Sequence, residues 1–203
     1  MVSQEKAIFQ YKELKKLGKE KRLAADDWKE DWQCLIAILM SARTRDSITI
    51  PIAEKLFAKY SLNKIANARE EKIAEIVHGV NFYKGKAKRI VELAGVLISK
   101  YGGKVPHDFS KLVELPGIGR KTANVFLAEK GHGTIGVDTH VDYISHYLGW
   151  TNGKTQREVE EDLKKIFPEK MWGDLNWVLV RFGQTYTSRK EKNGLLDEIK
   201  KIG

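Results

Sequence analysis

Leu115–Asn124 reads L-P-G-I-G-R-K-T-A-N, and V-D-T-H at Val137–His140 follows it at close spacing. Pro116-Gly117-Ile118-Gly119 is a glycine turn joining a short helical stretch to a longer one. Glycine permits positive φ and lets another backbone approach with no Cβ in the way. Amides around Gly117 and Gly119, at the positive end of the following helix, suit a phosphate oxygen, a contact that carries no base information. An ordinary tight helix–helix turn would need glycine for the same steric reason, so the flanking residues decide between the two. Those residues are a lysine, Lys121, and an acid, Asp138. An amine suits attack on a sugar aldehyde, and a carboxylate suits a positively charged transition state at a deoxyribose.

Outward from the hairpin, almost every segment between turn signals has helical spacing, so an all-α fold is expected. Ile90, Leu93, Ala94, Leu97, Ile98 and Tyr101 repeat at i, i+3, i+4, i+7, and Gly102-Gly103 supplies a left-handed exit. The opposite face of that helix is read as polar, carrying Lys86, Lys88, Arg89 and Lys100. Cys34–Met40 is apolar on all sides, which predicts a central helix surrounded by others. Thr155 and Glu158 have the spacing of a capping box before Val159, Leu163 and Ile166, with Pro168 just beyond. Further helices are predicted at about residues 4–22, 49–60, 69–78, 109–114, 120–130, 139–148, 171–187 and 191–201. Thr134–Val137 is the one extended-looking stretch. The basic N-terminal helix reads as a solvated face.

The chain has 203 residues, with 36 Lys and Arg against 27 Asp and Glu, a formal charge of +9 and a pI near 9.4. That balance favours polyanionic partners, though it also serves plain solubility. Cys34 is the only cysteine, so an intramolecular disulfide and a cysteine-ligated zinc or iron–sulfur site are excluded on ligand count. No apolar run reaches the roughly 20 residues needed to span a bilayer, and the first residues lack the apolar core of a secretion signal. An intracellular, monomeric protein without membrane contact is expected.

The hairpin with its lysine and the V-D-T-H resemble the helix-hairpin-helix signature of the endonuclease III family of DNA glycosylases. The similarity runs from about Trp28 to Lys190 and takes in S-A-R-T-R-D from Ser41, N-F-Y-K-G-K-A from Asn81 and R-F-G-Q-T-Y-T from Arg181. The resemblance implies that Lys121 is the nucleophile of a glycosylase with abasic-site lyase activity; a lysine in the first turn of a helix lies near a partial positive charge that disfavours its ammonium form. Arg120 beside it would push the same way and Asp138 the other. Alternatively, Lys121 is a phosphate-contacting or solvated lysine. Asp138 resembles the family's essential acid, and it also suits the N-cap of the helix beginning near Thr139; both roles can hold at once. His140 contacts the DNA backbone or satisfies a local hydrogen bond. Leu115, Gly117, Gly119, Arg120 and Lys84 complete the expected DNA-binding set. Arg43 stands where the family commonly has a glutamine that fills the vacated base stack, and arginine could do so or bind phosphate. Phe82 stands at the place of an apolar wedge, in a polar setting that reads as a loop tip rather than core.

The resemblance implies a substrate of double-stranded DNA containing damaged bases or abasic sites, oxidised pyrimidines foremost, with uracil, a mismatched base or 8-oxoguanine as alternatives. A non-catalytic helix-hairpin-helix DNA-binding protein would need the glycines but neither Lys121 nor Asp138. The chemistry calls for no metal or redox cofactor. The match breaks at the C-terminus, where endonuclease III relatives carry four cysteines for an iron–sulfur cluster and this chain has none; Thr187 stands about where the first would be. Leu195, Leu196 and Ile199 are expected to pack the tail in place of the metal, and Trp150, Trp172 and Trp177 to enlarge the apolar core there. The implied architecture is a two-lobed fold with a DNA-binding cleft: a helical barrel over 26–136, and a second lobe from 1–25 and 137–203.

Overall fold

The structure, a computed structural model, describes residues 2–202, and among these no strand is formed. The helices are α1 (Gln4–Leu17), α2 (Asp31–Ser41), α3 (Asp46–Lys59), α4 (Leu62–Ala66), α5 (Glu70–Val77), α6 (Tyr83–Tyr101), α7 (Phe109–Val113), α8 (Arg120–Glu129), α9 (Thr139–Tyr147), α10 (Gln156–Ile166), α11 (Trp172–Thr185) and α12 (Arg189–Lys201). A 3-10 turn at Glu169–Met171 leads into α11. None of the helices is long and apolar enough to cross a membrane among the described residues. The chain divides into two units: Arg22–Glu129, and Met1–Lys21 together with Lys130–Gly203. These divisions fall a few residues before those expected because Ala25 joins the core around α2, whereas Ile135 joins that of the other unit.

In the middle unit α2 packs against α3, α6 and α8. Every residue from Cys34 to Met40 is buried, which is why the segment is apolar all round. Glu30 and Gln33 close a capping box at its start. Trp28 and Trp32 both meet the Phe57 ring edge-on, at 5.0 and 5.2 Å between centroids. α6 lies against α4 and α5 and ends as its glycines dictate: Gly102, at φ 61°, and Gly103 donate back to the Ile98 and Leu97 carbonyls. α4 escapes the sequence pattern because five residues show no period; Ser61 caps it by accepting from the Lys64 amide.

In the terminal unit α11 packs against α1 and α9, and α12 against α1. α1 stops at Gly18, well short of residue 22. A Cβ at Gly18 would stand 3.0 Å from the Phe182 backbone nitrogen, so glycine is where the chain leaves α1 and passes close to α11. Trp150 is fully buried, and its indole N–H donates to Gln10 Oε1 at 2.7 Å, while Gln10 Nε2 donates to the Ile199 carbonyl at 3.3 Å. Trp172 and Trp177 are only partly buried at the margin of this core. The 134–137 segment pairs with no strand among the described residues; Ile135 and Val137 are buried instead, and Asn176 Nδ2 donates to the Gly136 carbonyl at 2.7 Å. The capping box of α10 is present as expected.

Candidate active site

The hairpin begins with α7, capped by Asp108, whose side chain accepts the Lys111 amide. Leu112, Leu115 and Ile118 are buried and anchor the turn in the middle unit's core. Leu115 therefore offers DNA nothing but backbone, and its carbonyl already accepts the Ile118 amide at 3.1 Å. The two glycines differ. Gly117 has φ 79°, and a Cβ there would come within 3.0 Å of Leu39 Cδ1 and 2.9 Å of Arg89 Cδ, whereas a Cβ at Gly119 meets nothing within 4 Å. Positive φ and internal crowding thus explain Gly117 alone. Gly119 is exposed, so an absent Cβ there leaves room only for something arriving from outside, at the amide-bearing end of α8.

This difference predicts a split. Gly117→Ala should lose about 1–3 kcal/mol of stability through strain and overpacking. Gly119→Ala should change stability by no more than about 0.5 kcal/mol, yet weaken duplex binding about tenfold by blocking an amide–phosphate hydrogen bond. Denaturant melts and binding titrations on both variants check this, and the reverse pattern would refute the assignment.

Lys121 lies half-buried in the first turn of α8. The neighbouring Arg120 guanidinium lies over the Phe109 ring, 4.7 Å from its centroid. In the terminal unit Asp138 is the N-cap of α9, and its Oδ1 accepts both the His140 and the Val141 amides at 2.9 Å. Both cap bonds fall on one oxygen, so capping does not consume Oδ2. The His140 ring packs over α11 at Gly183, where a Cβ would sit 2.1 Å from His140 Nδ1. Gly183 thus makes room for the His140 ring, a role the R-F-G-Q stretch held in plain view but periodicity could not assign.

Arg43 and Phe82 come together in the middle unit, with the guanidinium carbon 5.8 Å from the ring centroid. Phe82 is 67% exposed, which places it on the surface rather than in the core. Both are left-handed, φ 57° and 60°, a conformation that costs an L side chain about 1–2 kcal/mol. Asp27 is the other such non-glycine among the described residues, and aspartate visits this region more readily. Lys84 is exposed in the first turn of α6. Lys86, read as part of that helix's polar face, is instead only 8% exposed. Its Nζ donates to the Met40 and Ala42 carbonyls, each at 2.6 Å, and to Thr44 Oγ1 at 3.2 Å. Burial pulls its pKa down to about 8, while the acceptors favour the charged form. Asn81, also unassigned by the sequence, donates its side-chain amide to the Arg43 carbonyl and its backbone N–H to Thr44 Oγ1 at 3.1 Å.

An all-helical fold, a phosphate-suited hairpin and a lysine and acid at two helix starts define a class, and residues 36–169 match the model of the HhH-GPD superfamily base excision DNA repair proteins. The chain belongs to that superfamily. Within it the chain is endonuclease III-like: it is 40% identical over 171 residues to endonuclease III of Thermotoga maritima, covering 83% of this chain and 79% of that protein. Endonuclease III of Rickettsia conorii is 40% identical over 160 residues, 77% of this chain and 76% of that protein. A trapped endonuclease III–DNA covalent intermediate superposes with a TM-score of 0.85 at 30% identity, covering 94% of this chain and 90% of that one. A thermostable thymine-DNA glycosylase shares the fold, with a TM-score of 0.80 at 22% identity over 97% of this chain and 94% of that one.

The residues do not fit the iron–sulfur cluster that resemblance to endonuclease III implies. Cys34 is the only cysteine and is fully buried in α2 of the middle unit, its thiol 3.4 Å from the Ala25 carbonyl oxygen. Thr187 leads into α12, whose N-cap is Ser188. Leu196 and Ile199 of α12 are buried in the terminal unit's core, with Leu195 partly so, and Tyr147 Oη donates to Asp197 Oδ1 at 2.7 Å. Apolar packing and side-chain bonds hold this end of the chain.

Proposed function

We propose that this base excision repair enzyme is a bifunctional DNA glycosylase and abasic-site lyase that removes oxidised pyrimidines from double-stranded DNA inside the cell. The observation that carries the reading is the pair of helix starts: Lys121 opening α8 behind an anion-suited hairpin, and Asp138 capping α9 with one carboxylate oxygen to spare. A solved endonuclease III trapped covalently on DNA supports a covalent route.

With the damaged nucleotide extruded, the Lys121 amine attacks C1′ as the base departs with the bonding electrons and takes up the proton that Nζ loses. The Asp138 carboxylate stabilises the positive charge that builds on the sugar. The C1′–O4′ bond of the sugar then opens, O4′ taking a proton from solvent, to leave a protonated Schiff base between Nζ and C1′; its positive charge acidifies the C2′ hydrogen, loss of that proton expels the 3′ phosphate, and water adding to the Schiff base releases the enzyme. Phe82 wedges the stack and Arg43 occupies the vacated position. Gly117 and Gly119 with Arg120, His140 and Lys84 hold the backbone.

Single-turnover excision from duplexes carrying thymine glycol, uracil, a mismatched thymine or 8-oxoguanine tests the substrate. Thymine glycol should be released fastest. Arginine at position 43, where glutamine is usual, favours the alternative of another lesion, and faster release of one of the other three would establish it. No release from any duplex would leave a DNA-binding module.

A further inference from the structure

Arg43 and Phe82 adopt backbone conformations that neither would choose alone, and one buried side chain reaches from α6 to the loop that holds Arg43. An ammonium has three N–H groups, and Lys86 directs hydrogen bonds to Met40, Ala42 and Thr44. The two carbonyls lie at the C-terminal end of α2, where a cation is favoured. Asn81 ties the same loop as well, through the Arg43 carbonyl and Thr44 Oγ1. Since Asn81 immediately precedes Phe82, one short segment sets the backbone of Phe82 and fastens that of Arg43.

We propose that Lys86 is a positioning residue that, with Asn81, clamps the 42–44 loop to the start of α6, so that Arg43 and Phe82 enter a duplex as one preset unit. The proposal rests on the reading of Arg43 and Phe82 as inserted side chains. With its N–H groups directed into the protein, Lys86 does not act as a phosphate ligand. Holding both side chains ready before DNA arrives removes an ordering cost from binding. That advantage exists only where a base stack must be opened and refilled; a single strand has no such stack.

The test uses a duplex with a tetrahydrofuran abasic-site analogue opposite 2-aminopurine, and the tetrahydrofuran strand alone. Tetrahydrofuran forms no Schiff base, so the measurement is independent of Lys121, and loss of the lyase reading in trapping experiments is seen separately. Lys86→Met keeps the apolar stem and removes the donors. Asn81→Ala changes an exposed residue and carries the test if Lys86→Met does not fold. Both should bind the duplex about tenfold more weakly, the loss of a charge-assisted or buried hydrogen bond, and blunt the 2-aminopurine fluorescence rise, while single-strand affinity stays within about twofold. In an Arg43→Ala background, Lys86→Met should add less than about twofold. Equal losses on duplex and single strand, an undiminished effect in the Arg43→Ala background, or wild-type protein with no preference for the duplex overturns the clamp.

Discussion

Asp138→Asn is expected to slow base release by about 10³-fold while leaving DNA affinity and folding in place. Asparagine caps helices as well as aspartate does, so its side-chain oxygen can go on accepting the His140 and Val141 amides that Asp138 Oδ1 accepts. What the substitution removes is the charge. A carboxylate about 4 Å from a positively charged sugar is worth about 4 kcal/mol at an effective dielectric near 20, and that energy, lost only in the transition state, is a factor of about 10³ in rate. Single-turnover excision alongside a binding titration separates the two effects. Asp138→Ala adds a second loss, about 1 kcal/mol of stability, because alanine cannot cap. Excision at the wild-type rate by Asp138→Asn would reduce Asp138 to a capping residue.

Lys121→Ala is expected to abolish the covalent adduct that borohydride traps on an abasic-site oligonucleotide, and to lower strand cleavage by about 10³-fold or more, since no other amine takes over the Schiff base. Alanine is the best helix former, so α8 should persist and duplex affinity should fall only by the share of one charge. A folded Lys121→Ala protein that still gives the adduct at the wild-type level would move the nucleophile elsewhere. Wild-type protein that gives none would leave the lyase reading without support.

The residue types of this site were legible in the sequence, and their arrangement was not. A lysine after a glycine hairpin and an aspartate before a helix are local patterns, as are the all-apolar α2, the capping box of α10 and the glycine exit of α6. Local rules give them because their causes lie within a few residues. Apart from the short α4, the features that were missed have distant causes. α1 stops at Gly18 because Phe182 approaches there. Gly183 is glycine because the His140 ring lies against it. Lys86 was placed on a polar face because nothing near it in sequence shows that its partners are the carbonyls ending α2. Arg43 and Phe82 gave no sign of left-handed backbone, since neither residue type prefers it; the bonds from Asn81 and Lys86 that hold the Arg43 loop come from another helix start. The pairing of Trp150 with Gln10 also joins residues far apart in the chain.

That last pairing bears on the order in which the molecule matures on the ribosome. The terminal unit draws α1 from the beginning of the chain and α9 to α12 from its end, while Arg22–Glu129 is contiguous. As synthesis proceeds, the middle unit is complete when Glu129 emerges and can fold at once, since domains fold as units during translation. α1 leaves the tunnel before the middle unit does and has to wait: Ala7, Tyr11 and Leu14 stay uncovered until residues such as Leu179 and Leu196 arrive. The four basic side chains of α1, Lys6, Lys12, Lys15 and Lys16, outnumber its acids Glu5 and Glu13 and leave that waiting helix net positive, which disfavours association of one nascent chain with another.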